Sequence, residues 1–534
     1  MVVIVIITVK RWKVKNTGYT LLALLFLVSL LPTDALATEH GGTLKLGYIT
    51  IDHEGNKGIN QSSFNLYEGV ALSLENYTAY LDNGMRVNAN LRNITLKNRN
   101  LFLDVNKPNH GGVQFRHSAY RRYYDFDGDM ETKRTMTGGN VWWQAHPWFK
   151  VTGDISVNKR SGEMTQLFAP GSLTETDEVD FTDTYYGVGL TYQRNRTTGV
   201  VEYRGSSFKD DINEFDDRTT GRFRATIATP IPKHEQFSVI GGYQYYKLNV
   251  KDRNDTLTAN TVWAGARFYR TCGLSLGYNI VFDRAGRTGD FVDTDNLTHA
   301  FSAAKVWRGR GGINLGYRYS ANDDLFVKRT GNSFSASGWF KPIPDLTIRA
   351  GHGMTSMDVD EGRTLTGRLD RDRAWASARY ALPDGWVRVK MTAIQTEYED
   401  LETSADYVKG AADAYYELAK FGALSGSYAY YRGDYTNDDG RYVFADHSLS
   451  GDIMTAEYYH AKLGFGGTYW RSRRDEDIES FSVRFTGWYT LTNGLGLELT
   501  YQSHNFDNFN DPSPVYTEYY TDNIVEVTLT YDLK

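Results

Sequence analysis

The sequence predicts an all-β protein, a transmembrane antiparallel up-and-down β-barrel of about 26 strands, in a range of roughly 22 to 26. Three observations predict it. Apolar and polar residues alternate along most of the chain, as in Val387, Val389, Met391 and Ala393 against Arg388, Lys390 and Thr392. Leu495, Leu497, Leu499 and Tyr501 repeat the pattern around Glu498, Thr500 and Gln502. Successive strand side chains face opposite sides of a sheet, so such segments have one apolar and one polar face. The composition is also that of a β-protein, with 38 tyrosines and 51 glycines but only 11 prolines in 534 residues. Finally, no linker or low-complexity stretch divides the chain, so one continuous architecture accounts for its length better than several soluble domains.

The elements follow in order from the N-terminus. Lys10, Arg11, Lys13 and Lys15 form a basic region, Leu21 to Leu31 an apolar one, and Ala35-Leu36-Ala37 a small-x-small cleavage site. Residues 1–37 therefore read as a secretory signal and 38–534 as the mature barrel. Cleavage removes those four basic side chains and Asp34, taking the formal charge from −6 to −9. A net negative charge argues against nucleic acid as a partner. Beyond the leader no run of about 18 apolar residues could cross a bilayer as a helix, and mean hydropathy is −0.49.

From Val113 onward the turns divide the chain into 22 segments, starting near residues 113, 134 and 149 and ending with those near 495 and 518. Up to four more lie between Leu44 and Val105. Short connections such as Pro230-Ile231-Pro232, Pro383-Asp384-Gly385 and Thr492-Asn493-Gly494 carry the residues of tight hairpins. Longer acidic ones include Asp125 to Glu131, Asp210 to Asp217 and Asp358 to Gly362. Val525, Val527, Leu529, Tyr531 and Leu533 alternate to the end of the chain. If that last strand ends in the periplasm, the short turns are periplasmic and the acidic loops extracellular, as in outer-membrane barrels. The expected surroundings are the lipid bilayer and lipopolysaccharide of a Gram-negative outer membrane. Trp148, Trp263, Trp307, Trp339, Trp386 and Trp488 lie near short turns, where an interfacial girdle is expected.

The chemistry is sparse. Asp125, Asp127 and Asp129 resemble the start of a calcium loop. An EF-hand, however, requires glycine at its sixth position and glutamate at its twelfth, where this chain has Met130 and Met136. They remain a weak candidate for divalent cations, and no other metal ligands stand out. Cys272 is the only cysteine, so no disulfide forms within the chain and no C-x-x-C-H can attach haem. No G-x-S-x-G occurs and no serine, histidine and acid share a motif, so no catalytic residues are expected and the protein is not read as an enzyme. The charged strand positions Arg349, Arg388, Lys390, Arg484 and Glu498 alternate with apolar neighbours and are expected to face the lumen. A barrel of 22 or more strands leaves a lumen large enough to enclose something.

The segments Phe64 to Val70, Val113 to Tyr124 with its acidic loop, Arg134, and Pro147 to Val151 together resemble the barrels of outer-membrane porin–cytochrome electron conduits, the MtrB/PioB type. The likeness is diffuse and spans most of the mature chain. It implies a sheath for a periplasmic multihaem c-type cytochrome held in the lumen, a second cytochrome docked at the surface, and extracellular electron transfer with haem supplied by the partner. The alternative is a general diffusion porin for solutes or polysaccharides.

Overall fold

A computed structural model describes residues 37–533 except 56–64, 125–128, 167–174, 213–216, 252–254, 289–291, 325–326, 363–366, 400–402, 438–439, 474–476, 493 and 509–518. The leader expected at residues 1–37 lies outside them apart from Ala37.

Among the described residues, twenty-six strands form one antiparallel sheet in which each strand pairs with its neighbours in sequence. The sheet closes where β1 (Ala37–Gly55) pairs with β26 (Tyr520–Leu533), over a register running from Gly42 opposite Leu533 to Gly55 opposite Tyr520. Closure leaves no edge strand exposed, which is what permits a sheet to cross a membrane. Among the described residues no helix is long and apolar enough to cross one.

The four N-terminal strands are β1, β2 (Gly69–Leu81), β3 (Arg86–Arg92) and β4 (Asn100–Lys107). They are the up to four strands expected between Leu44 and Val105, with β1 beginning ahead of Leu44 at Ala37. β3 and β4 are short, with 7 and 8 residues, and non-strand segments complete the wall beside them. Residues 93–96 run along β2, with Ile94 N–H donating to Leu72 O at 2.8 Å and Asn93 N–H to Ser73 Oγ at 2.9 Å. Asn65 to Tyr67 are held by Arg121 of β5 (Gly111–Tyr123), which donates to Leu66 O at 2.8 Å and lies 3.8 Å over the Tyr67 ring. Here the apolar side chains find each other rather than lipid. Leu74, Tyr77, Ala79, Val87, Ala89, Leu91 and Ile94 form a buried cluster against Leu101, Leu103 and Val105.

Elsewhere the apolar face stays exposed. Val389 and Met391 are 46% and 58% accessible, Leu499 and Leu529 40% and 42%. Water would penalise such a surface, whereas in a bilayer it is the lipid-facing belt.

Connections of two to five residues join strands at one rim, including two-residue turns at Asn195-Arg196 and Tyr459-His460. All four of those residues have positive φ, between 46° and 68°, the geometry of type I′ turns. Connections at the other rim are not uniformly longer. Asp358 to Gly362, expected in a loop, belong to β17 (Leu346–Gly362), and only residues 325–326 separate β15 (Gly311–Asp324) from β16 (Val327–Ile343).

Candidate functional site

The strand register sorts side chains into the apolar belt and an opposite, polar face. The relevant strands are β18 (Gly367–Leu382), β19 (Gly385–Tyr398), β20 (Thr403–Glu417), β21 (Gly422–Asn437), β22 (Gly440–Thr455), β23 (Ala461–Arg473), β24 (Asp477–Thr492) and β25 (Leu495–Asn508). Val389 pairs with Ala378 on one side and Ala412 on the other, all on the apolar face. Lys390 pairs with Ser377 and Ala411, and Ser377 in turn with Arg349, all on the polar face.

Arg349, Arg388, Lys390, Arg484 and Glu498 all lie on that polar face, and the structure divides them by partner. Arg388 Nη2 is 2.9 Å from Asp413 Oδ1, and Arg484 Nη2 is 2.7 Å from Asp452 Oδ1. Glu498 accepts from Lys45 Nζ at 3.1 Å, and that ammonium also meets Glu75 at 3.2 Å, bridging the closing strands. These groups neutralise one another. Arg349 and Lys390 have no ion-pair partner among the described residues.

Lys390 belongs to a cluster midway along β18 to β23. Arg373, Lys390, Lys409, Tyr431, Asp446 and Trp470 line a cavity of about 550 Å³. Its register is continuous: Arg373 is opposite Ile394 on β19, Lys409 opposite Thr392 and Tyr431, Tyr431 opposite Asp446, and Trp470 opposite Ser448. Lys409 Nζ lies 4.5 Å over the Tyr431 ring, which stacks on Tyr407 at 6.0 Å and 10°. Arg373 likewise has no carboxylate partner among the described residues. The one carboxylate lining the cavity, Asp446, accepts the Ser472 hydroxyl at 2.5 Å. The site therefore brings three cations, one of them over an aromatic face, into one cavity with Tyr431 and Trp470, an arrangement suited to anions bearing flat rings.

Arg373, Lys409, Tyr431 and Trp470 were not singled out in the sequence. The same alternation that marked Lys390, applied to β18, β20, β21 and β23, places each of them on the polar face.

The tryptophans correct another expectation. Trp263, Trp339, Trp386 and Trp488 point to the polar face rather than into an interfacial girdle, as do Trp142, Trp375 and Trp470. Their indoles lie along the wall. A Cβ at Gly312 would meet Trp339 at 2.6 Å, and one at Gly351 would meet Trp375 at 2.6 Å. Cations attend several of them: Lys150 over Trp142 at 4.7 Å, Arg224 over Trp263 at 5.3 Å and Arg379 over Trp386 at 5.3 Å. At the short-turn rim the apolar face carries Phe340, Tyr380, Tyr416, Tyr489 and Tyr531 instead, with Trp307 beside them.

Asp125 and Asp127 lie outside the described residues and Asp129 is exposed. Among the described residues no group of three or more His, Cys, Asp or Glu side chains could hold a metal.

No protein-family model matches the chain, and no curated protein does. Solved structures do match. The ferric enterobactin receptor PfeA of Pseudomonas aeruginosa is 9% identical with a TM-score of 0.51, covering 93% of this chain and 81% of that one. The siderophore receptor PirA of the same species is 10% identical at 0.47, covering 94% and 81%. The ferric yersiniabactin uptake receptor FyuA of Yersinia pestis is 8% identical at 0.47, covering 93% and 80%. At such identities the likeness to PfeA is one of fold. The chain is a large β-barrel of the Gram-negative outer membrane.

The match to PfeA overturns the resemblance to porin–cytochrome conduits. The PfeA title names a ferric enterobactin receptor, so the expected lumen cytochrome, surface cytochrome and electron transfer are corrected, and with them the alternative of a general diffusion porin. The physical reason is that strand number, a charged polar face and a lack of haem motifs are shared by wide barrels at large. They specify a diameter but not a cargo.

Proposed function

We propose that this chain is a ligand-selective outer-membrane receptor barrel whose polar face is the lumen wall, and that it binds an anionic, aromatic iron chelate of the siderophore class. The observation that carries this reading is the cluster of Arg373, Lys390 and Lys409 with Tyr431 and Trp470, in which three cations meet one already engaged carboxylate. Unpaired cations beside π-faces, sheltered from bulk water inside a barrel, attract an anion more strongly than the same groups on an open surface. The fold likeness to a structure titled a ferric enterobactin receptor supports the choice of ligand class. In the same reading the short-turn rim faces the periplasm, as the short turns of outer-membrane barrels do.

The test is binding of ferric enterobactin to the purified full-length barrel, read by quenching of tryptophan fluorescence, with a neutral oligosaccharide as control. Saturable binding of the chelate but not the sugar is expected. Arg373→Ala or Lys390→Ala should each weaken it about tenfold to a hundredfold, the size of a lost hydrogen bond to a charged group. Arg388→Ala, which breaks a pair outside the cavity, should change it little. Equal binding of the neutral sugar, or indifference to Arg373 and Lys390, would overturn the proposal.

A further inference from the structure

A second cavity lies on the opposite, lipid-facing side, at the short-turn rim. It spans β14 (Val292–Trp307), β15, β16 and β17 and holds about 500 Å³. Its walls are Trp307, Ile313, Phe340 and Ile348, and its floor is Gly338 and Ala350. The register places all six on the apolar face: Trp307 and Phe340 flank Gly311, Ile313 faces Gly338, Phe340 faces Ile348, and Gly338 faces Ala350. The floor is low because three consecutive strands offer small residues, Gly338, Ala350 and Ala376 of β18, between Ile313 on β15 and Met391 on β19. The result is a slot sunk into the belt.

Arg310 stands at the mouth of that slot. It belongs to the turn Arg308-Gly309-Arg310, whose chain reversal uses the positive φ of Gly309 and the bond from Arg310 N–H to Trp307 O at 3.0 Å. The Lys341 N–H donates to Arg310 O at 2.8 Å, tying the next strand to the turn. Arg308 and Arg310 are exposed and have no ion-pair partner among the described residues. The carboxylate of the adjoining turn, Asp345, is outnumbered by Arg308, Arg310 and Lys341.

We infer that this slot binds one anionic glycerophospholipid, with an acyl chain along Gly338 and Ala350 and its phosphate at Arg308 and Arg310. The charge and the apolar surface meet in the order a lipid presents them: a head group at the rim, where Trp307 also sits at the interfacial level, and a chain running into the belt. Arginine suits a phosphate because its planar fork can donate two parallel hydrogen bonds. Ordinary bilayer contact needs neither the depression nor the uncompensated cations. The inference is independent of the lumen ligand.

The test reconstitutes the full-length barrel in nanodiscs of equimolar phosphatidylglycerol and phosphatidylcholine with identical acyl chains and counts the lipids retained on release into a mass spectrometer. Preferential retention of one phosphatidylglycerol is expected. Arg308→Gln and Arg310→Gln should each reduce that preference roughly fivefold, and Arg308→Lys with Arg310→Lys should keep most of it. Ala350→Phe, which fills the slot from an exposed position and leaves the cations in place, should abolish retention. Heat-modifiable migration on gels identifies the folded variants to be compared. Equal retention of both lipids, or a preference unchanged in the glutamine and phenylalanine variants, would overturn the inference. So would retention of lipopolysaccharide in place of phosphatidylglycerol when both are supplied.

Discussion

At the residue scale the two faces make adjacent positions energetically opposite. Met391 lies on the exposed belt and Lys390 on the polar face, one residue apart. Arginine at the lipid face costs roughly 2–4 kcal/mol at mid-depth, while on a wet wall it costs little. Met391→Arg should therefore lower unfolding stability in liposomes by about 2–4 kcal/mol, and Asn314→Arg, at an exposed position of the polar face, by much less, as read from denaturant titrations. The ion pairs of the polar face contribute less than their number suggests. Arg388 is more than half exposed opposite Asp413, and such pairs are worth about 0–1 kcal/mol, so Arg388→Ala should barely move the same titration.

Cys272 permits a residue-scale test of orientation. It is exposed in the turn between the strands Asp255–Arg270 and Leu274–Thr288. The Leu274 backbone hydrogen bond, with Lys305 nearby, holds its thiol below the ordinary range. The thiolate is the reactive form, so its labelling by a maleimide should reach half its plateau rate at a lower pH than free cysteine does. If the short turns are periplasmic, a membrane-impermeant maleimide should miss Cys272 in intact cells and label it once the outer membrane is permeabilised. Labelling in intact cells would invert the proposed orientation.

At the scale of elements the hairpins and the short strands behave differently. Tyr458 and Ala461 exchange two backbone hydrogen bonds, at 2.8 and 2.9 Å, around Tyr459 and His460. Both central residues sit in the left-handed region, which costs an L-residue roughly 1–2 kcal/mol. His460→Gly should stabilise the barrel by about 1 kcal/mol, visible as a higher unfolding midpoint. The cluster under β2 to β4 is the part of the molecule that most resembles a soluble core. Leu74 is 2% exposed among Tyr77, Ala89 and Leu91. Leu74→Ala should cost about 2–5 kcal/mol, whereas Leu499→Ala on the lipid face leaves no cavity for protein to close and should cost far less.

The number of strands was legible because hairpin turns and a two-residue period are local signals. The segment starts read near 149 and 495 coincide with observed strand starts at Phe149 and Leu495. The N-terminal region was less legible, because β3 and β4 are short and the intervening segment 93–96 substitutes for a strand without alternating like one. The tryptophans were a misreading rather than a missing signal. Trp386 shares the parity of Arg388 and Lys390, so its face could be read from the same alternation that assigned theirs. Nearness to a turn was given more weight than parity. The aspartates at 125 and 127 lie outside the described residues, and their role is untouched by the fold.

At the scale of the whole molecule closure brings the ends of the chain together. Lys45 and Glu498 are 453 residues apart in sequence and 3.1 Å apart in space, close to the seam where β1 meets β26. A proline at Thr528, opposite Gly47 on β1 and Glu498 on β25, would remove a ladder donor at this seam. Thr528→Pro should reduce the heat-modifiable, folded fraction on gels, and substitution at the exposed turn residue Lys233 should not.

By itself the sequence determined the architecture: an antiparallel barrel of about 26 strands, the number observed among the described residues, with one apolar and one polar face. Those properties follow from local periodicity and turn chemistry, which each strand carries independently of its partners. Only the tertiary structure decided which charges cancel and which stay free. The same holds for the convergence of Arg373, Lys390 and Lys409 with Tyr431 and Trp470 across six strands, and for the glycine and alanine floor beneath Arg310. The physical reason is register. Which residue stands opposite which is set by the hydrogen-bond ladder between strands, and a slip of one residue would turn every side chain to the other face. A site assembled across such a ladder has no contiguous signature along the chain.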